Sequence, residues 1–395
     1  MSSSKEQFFP STGDPIIDLL LAYGITELAV RADRDAEVTW FLGRDPFMMI
    51  KVSKADISAR MRLEMKRQLE SFEIADSLSF ALNVGSGLWR APCGICRYCV
   101  GTKKCDKRGN CGKVNVPAYS VLATNIEKLN VFGWSPEPLQ KKKGRDLGTL
   151  YVGLSPYWSK GNRCWDRPYQ GDSTYVPIPI QSLAFYSLAR YVVSFRTDAD
   201  KLVQLILGPP PGLFLNHPKV IHLLSIVRRF VNTFRVTLMR IPLTILPRNV
   251  IELVILAHAD LPLILEIPRV NLGLHFLVYD LARGTPKNPR GLEDLGLLNI
   301  ARFYAALGPY FWDFKAIITD LSDSLRFHDF RARILQLLVR FATGIVRRNP
   351  WDINDALLDL KRLADELRGQ RHIHLPSDWA IVNQAHKALE LLGRP

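Results

Sequence analysis

Five cysteines fall within nineteen residues: Cys93, Cys96, Cys99, Cys105 and Cys111. Two overlapping C-x2-C pairs followed by two single cysteines provide tight turns and enough thiolates to close a tetrahedron of about 2.3 Å bonds, with one thiol spare. Gly94, Gly101 and Gly112 suit the close backbone approach of a metal-binding knuckle. Three chemistries fit such a run: structural zinc, an iron-sulfur cluster and disulfides. Spacing favours zinc, because the fourth cysteine comes too late for a ferredoxin signature and no proline follows it. Disulfides need an oxidising compartment, and Met1 to Phe9 lacks the basic, apolar and small-residue succession of a signal peptide, so a reducing cytoplasm is expected. Cys164, far away beside Trp165, reads as a small apolar residue.

The cysteines sit in the most basic part of the chain. Residues 1 to 85 carry ten Lys or Arg against thirteen Asp or Glu, whereas residues 86 to 170 carry fifteen against five, in a chain of net charge +14. A pI near 9.6 favours a polyanionic partner, since each neutralised phosphate releases counterions. Downstream of the cysteines, rings and cations interleave: Trp134, Lys141, Lys142, Lys143, Arg145, Tyr151, Tyr157, Trp158, Lys160, Arg163, Trp165, Arg167 and Tyr169. Such a surface can hold phosphates and stack exposed bases. The loop-like stretch from Arg283 to Gly291 adds Arg283, Lys287 and Arg290 as a second set placed to reach nucleic acid. The milder excess over residues 171 to 395 reads as a solvated face.

Catalytic signatures are sparse. No glycine loop ends in Gly-Lys-Ser or Gly-Lys-Thr, and Gly85-x-Gly87 lacks the third glycine of a dinucleotide fingerprint. His328-Asp329 has the residue types of an HD phosphohydrolase dyad, but the pattern places it within an amphipathic helix without spaced histidine partners. No enzyme is expected. The apolar runs, such as Leu202 to Leu215, are broken by Pro, Gly or charge well short of the roughly 18 residues a membrane span needs.

The elements that must position these residues are mixed. Asp14 and Pro15 start a helix whose face is Ile16, Leu19, Leu20 and Tyr23, with Gly24 expected to end it. Val38 to Leu42 and Phe47 to Val52 predict a hairpin about Gly43-Arg44-Asp45-Pro46. A helix is expected from Asp56 to Ser77 with Ile57, Met61 and Met65 in the core, strands over 148–154 and 176–180, and a helix from Leu183 to Phe195. Between Leu202 and Asp280, eight prolines leave the segments short and of undetermined type. Beyond 291, stripes through Leu321, Leu325, Ile334, Leu337, Leu338 and Phe341, through Ile353, Leu357, Leu360, Ala364 and Leu367, and through Trp379 to Leu392 predict helices. The expected class is α+β: a mixed part over 1–282, with a zinc-binding module inserted at 86–115 and a basic aromatic region at 130–170, then an α-helical bundle over 292–395.

The segment Ser11-Thr12-Gly13-Asp14-Pro15-Ile16-Ile17-Asp18, the cysteine module near residue 100 and the C-terminal helical stretch together resemble the large subunit of type I CRISPR interference complexes, most closely the archaeal subtype I-A version. The match rests on the Thr-Gly-x-Pro-x-x-Asp pattern at Thr12, Gly13, Pro15 and Asp18 and on the cluster from Cys93 to Cys111. It covers about the first 170 residues and, by architecture, the last hundred. The resemblance implies a non-catalytic subunit that touches the 5′ handle of the guide CRISPR RNA, inspects target double-stranded DNA for a short flanking motif and helps open the strands. It also implies assembly with backbone and small subunits and recruitment of a helicase-nuclease. Guide pairing then supplies sequence specificity, leaving the protein to grip phosphate and a few base edges. Five clustered cysteines instead of two clean pairs leave the ligand set open, and no residue for reading the flanking motif is carried over. The rival readings are a free-standing zinc-stabilised RNA-binding protein of RNA processing or translation, a metal-dependent nuclease built on His328 and Asp329, and a structural scaffold.

Overall fold

The computed structural model describes residues 5–11, 15–53, 56–70, 88–92, 110–117, 187, 190–196, 201–237, 241–242, 246–260, 263–266, 272–280, 291–325 and 328–366. They form a mixed α+β structure with three antiparallel sheets.

The first sheet grows from the N-terminal segment. β1 (Lys5–Phe9), β2 (Glu37–Phe41), β3 (Met48–Val52) and the two-residue β8 (Phe214–Leu215) lie in the order β1-β3-β2-β8. The predicted hairpin is present, with Val38 opposite Ile50 and Trp40 opposite Met48. Strand periodicity then sorts the residues. Phe9, Met48, Ile50, Val38, Trp40 and Leu215 point inward and are buried, while Phe8, Met49, Thr39, Phe41 and Phe214 lie on the other face.

α1 (Pro15–Ala32) does not stop at Gly24. Every residue from Ile16 to Ala29 is buried, because the helix lies between two sheets: Tyr23 meets Trp40 of the first sheet edge-on, and its hydroxyl donates to the Leu207 carbonyl of the second at 2.6 Å. Packing on all sides outweighs the roughly 1 kcal/mol that an internal glycine costs. The approach is close enough that a Cβ on Gly208 would come within 2.3 Å of Leu19 Cδ2. α2 (Ile57–Glu70) packs on α1 and buries Ile57, Met61 and Met65, as its spacing requires.

The second sheet, β10-β9-β7-β6, consists of β6 (Val192–Arg196), β7 (Lys201–Gly208), β9 (Gly273–Asp280) and β10 (Gly291–Leu298). The helix expected from Leu183 to Phe195 is corrected in its last part: Ser187, Arg190 and Tyr191 are helical, but Val192 to Arg196 pair with Ile206 to Leu202 of β7. Cross-strand pairing of β-branched Val192 and Val193 overrides the apolar helical period. Residues 281–290 join β9 to its direct neighbour β10, so they connect two strands of one sheet.

Two helices fill the stretch of undetermined type, α3 (His217–Thr237) and α4 (Arg248–His258). α3 packs on β2, β6 and β7. Among the described residues from Ala301 to Glu366 the regular elements are helices, α5 (Ala301–Leu307), α6 (Phe311–Ser324) and α7 (Arg331–Arg347), which pack on α4, and α8 (Pro350–Glu366), which packs on α7. The stripes Leu321, Leu325, Ile334, Leu337, Leu338, Phe341 and Ile353, Leu357, Leu360 are buried, as read. α7 closes with Arg348 at φ 51° and turns directly into α8. A third, two-stranded sheet pairs β4 (Leu88–Pro92) with β5 (Asn110–Pro117). No helix among the described residues is long and apolar enough to cross a membrane.

Candidate nucleic-acid interface

Most of the residues singled out by type and spacing lie outside the described residues: Cys93, Cys96, Cys99 and Cys105, the set Lys141, Lys142, Lys143, Arg145, Lys160, Arg163 and Arg167, and the set Arg283, Lys287 and Arg290. So do the strands expected over 148–154 and 176–180 and the stripe from Trp379 to Leu392. The fifth cysteine, Cys111, is on β5, next to Asn110. Asn110 pairs with Pro92, the residue before Cys93, so the chain carrying the other four cysteines leaves and returns through one neck formed by β4 and β5. Among the described residues, no group of three or more His, Cys, Asp or Glu could hold a metal ion. His328 and Asp329 are corrected in one respect: they fall in a single 3-10 turn between α6 and α7, not inside an amphipathic helix.

Charge is organised on α3. Its inner face, Val220, Leu223, Leu224, Val227, Phe230, Val231 and Phe234, is buried, while Lys219, His222, Ser225, Arg229 and Asn232 recur every three or four residues on the exposed face. The helix contains no Asp or Glu. From Lys219 to Arg229 the stripe runs about 15 Å at 1.5 Å per residue. His222 Nε2 is 2.9 Å from a Glu266 carboxylate oxygen, which anchors the stripe at one point.

On the inner flank of α3, Arg228 reaches a buried carboxylate. Glu27 of α1, whose side chain is 1% exposed, takes three guanidiniums on one oxygen: Arg31 Nε at 2.9 Å, Arg190 at 2.7 Å and Arg228 at 2.8 Å. The Tyr191 hydroxyl donates to its other oxygen. Burial alone would push the Glu27 carboxyl up, but Arg190, Arg228, the Tyr191 hydroxyl and Arg31 together hold it below the usual carboxylate range. One carboxylate cannot neutralise three cations, and Arg31 is shared with Glu64 at 3.5 Å. The side chains of Arg31 and Arg228 are partly exposed. The cluster ties α1, α3 and the start of β6 together.

A serine-histidine contact beneath α4 has the distance of a nucleophile and its base. His258 Nε2 lies 2.7 Å from Ser322 Oγ, and the Asp323 carboxylate is 4.0 Å from the same nitrogen. The Ser322 hydroxyl, however, donates its one proton to the Thr319 carbonyl at 2.9 Å, so His258 must be the donor in the contact. In a nucleophilic arrangement the base accepts from the hydroxyl and the carboxylate holds its other nitrogen. Ser322 is also fully buried, and burial lowers the pKa of His258. The pair joins α4 to α6 and is not arranged for nucleophilic attack.

Sequence reading missed α3 and the Glu27 cluster for different reasons. The helix had a signal, a stretch of 21 residues with Lys219, Arg228, Arg229 and Arg235 and no carboxylate. The cluster had almost none, since its members lie at 27, 31, 190, 191 and 228 and only the first two share a helix face. The chain matches no protein-family model, and no curated protein is significantly similar to it in sequence.

Proposed function

We propose that this chain is the non-catalytic, nucleic-acid-binding large subunit of an RNA-guided CRISPR interference complex. In this reading a structural zinc site organises the segment between β4 and β5, and the helices from Ala301 continue into a C-terminal bundle. The subunit contacts the 5′ handle of the guide RNA and the flanking motif of target duplex DNA, assists strand opening, joins backbone and small subunits and recruits a helicase-nuclease. The observation that carries the reading is the concentration of positive charge, fifteen cations against five acids over residues 86 to 170, around the cysteine run. The acid-free outer face of α3 is in keeping with it.

The donor set fits zinc. Five thiols occur in one run, and the paired β4 and β5 bring both ends of that run to one neck. Zinc there would supply folding energy rather than chemistry, replacing the apolar core that so short a module lacks. Lys141, Lys142, Lys143 and Arg145, together with Arg283, Lys287 and Arg290, would bind phosphate.

The test is to purify the full chain with co-expressed partners, determine bound metal, and compare duplexes carrying a defined or a randomised flanking motif. Recovery of zinc, CRISPR RNA and backbone subunits, with motif-dependent binding, is the expected result. A lone zinc protein holding cellular RNA would overturn it in favour of free-standing RNA binding.

A further inference from the structure

The open face of the first sheet carries a row of rings. Phe8 of β1 is opposite Met49 of β3, Met49 is opposite Thr39 of β2, Phe41 lies two residues further along β2, and Phe41 is opposite Phe214 of β8. All five share one face by strand periodicity. Phe8 is 48% exposed and Phe214 59% exposed, and the Phe214 ring rests 5.5 Å from Phe41 at a tilt of 52°. On the other face of the same strands the apolar residues are buried. Two phenylalanines held outward on a well-packed sheet need a reason, because burying one ring is worth about 2 kcal/mol or more.

We infer that this face is a base-stacking platform for single-stranded nucleic acid, with Phe8 and Phe214 as the rings on which bases stack. The inference rests on the nucleic-acid-binding reading and adds to it a site outside the basic stretch of sequence. Two sizes separate this occupant from a protein partner. The exposed parts of the two rings amount to about 100 Å² each. That matches the faces of two bases but falls far below the roughly 800 Å² per partner of a stable protein interface. Three strand steps of about 4.8 Å and one two-residue step along β2 separate Phe8 from Phe214 by roughly 16 Å, enough for a short run of extended nucleotides.

The charges on this face leave one carboxylate in excess, so the face itself does not attract phosphate. Lys51 lies directly between Glu6 and Glu37 in the register, and its ammonium is 3.4 Å from Glu37. Affinity here must then come from stacking, which tolerates any base, with phosphate contacts supplied elsewhere in the chain. The chain order β1-α1-β2-β3-α2 with sheet order β1-β3-β2 is that of the first five elements of a βαββαβ unit. By fold analogy, such sheets in RNA-recognition modules stack two or three bases on aromatic side chains.

The experiment measures binding of labelled oligouridylate and oligothymidylate, with a duplex as control, to the full chain carrying Phe8→Ala or Phe214→Ala. Each substitution should weaken single-strand binding by about 5- to 150-fold. The dependence of affinity on salt and the duplex affinity should stay unchanged. Phe8→Trp and Phe214→Trp should retain binding, and Phe8→Leu and Phe214→Leu should lose it as the alanine variants do, since an aliphatic side chain packs but does not stack. Equal affinity of wild type and alanine variants overturns the platform while leaving the nucleic-acid reading intact. Retention by the leucine variants with loss in the alanine ones also overturns it, in favour of an apolar protein contact. A wild-type chain that binds no nucleic acid, alone or with co-expressed partners, removes both.

Discussion

Replacing Glu27 by glutamine should be among the most damaging conservative changes in the chain, and its cost can be worked from the cluster. The carboxylate sits 2.7 to 2.9 Å from three guanidinium nitrogens and accepts from the Tyr191 hydroxyl. At an effective dielectric near 20, one such pair at about 4 Å between charge centres is worth roughly 4 kcal/mol gross. Removing the charge leaves three cations facing one another over a neutral amide. Rehydration limits the damage, because the Arg31 and Arg228 side chains are 38% and 40% exposed, so the expected net cost is about 3–5 kcal/mol. With roughly 2 cal/mol/K per residue the whole chain has an unfolding entropy near 0.8 kcal/mol/K, so Tm should fall by about 4–6 °C. Arg228→Met, which leaves two guanidiniums on Glu27, should cost only about 1 kcal/mol. The folded carboxyl titrates below its unfolded value, so its contribution is fully present above the unfolded pKa of about 4.3 and is lost as pH falls through the folded one. The Tm gap between wild type and Glu27→Gln should therefore stay constant from neutral pH to about 5 and close on further acidification. Thermal melts followed by circular dichroism read all of this. A Glu27→Gln Tm within a degree of wild type, or a cost no greater than that of Arg228→Met, would refute the reasoning.

Burial holds His275 of β9 down to about 4, so the folded state resists the proton that the unfolded chain takes up near 6.5; stability should fall as pH drops between those values, by about 2 kcal/mol at pH 5. His258, lowered by burial in the same direction, acts in the same sense as pH falls below about 6.5, so His275→Leu should flatten the Tm-against-pH curve without levelling it; an unchanged slope would show that His275 takes no part. Gly344→Ala should destabilise by about 1–3 kcal/mol despite the better helix propensity of alanine, because the new Cβ would stand 2.7 Å from Ile353 Cγ1 and wedge α7 from α8; a raised Tm would count against this packing. Lys219→Ala with Arg229→Ala should reduce the slope of log affinity against log salt by about 0.9 for each duplex phosphate no longer neutralised, at unchanged Tm; an unaltered slope would mean that the α3 stripe is only solvated.

Where the sequence was legible, a local pattern and a buried face coincided. The turn from Gly43 to Pro46 lies between two runs of alternating apolar residues, and the hairpin follows. Ile57, Met61 and Met65 recur at one face of α2 and are core. The middle was illegible because its prolines looked like breaks. Several are helix starts instead: Pro218 is the second residue of α3 and Pro247 is the N-cap of α4, positions where a missing N–H costs nothing. Gly24 misled in the opposite sense, since a helix enclosed by two sheets does not need its weakest residue to end it. The Glu27 cluster was invisible because contacts between residues 27, 190 and 228 exist only after the sheets and α3 have assembled.

The two kinds of contact proposed here make different demands on the scaffold. Stacking needs a ring held at a fixed tilt, so the rings belong on strands whose reverse side is packed, as Phe8 and Phe214 are. Attraction to phosphate falls off slowly with distance and tolerates a long side chain on a connecting segment. The cations predicted to bind phosphate lie, in sequence, between β5 and β6 and in the ten residues between β9 and β10. Neutralising those cations should change the salt dependence of binding and leave Tm untouched. Removing a ring from the sheet should change affinity and leave the salt dependence untouched. A protein that merely carried excess charge for solubility would show neither separation.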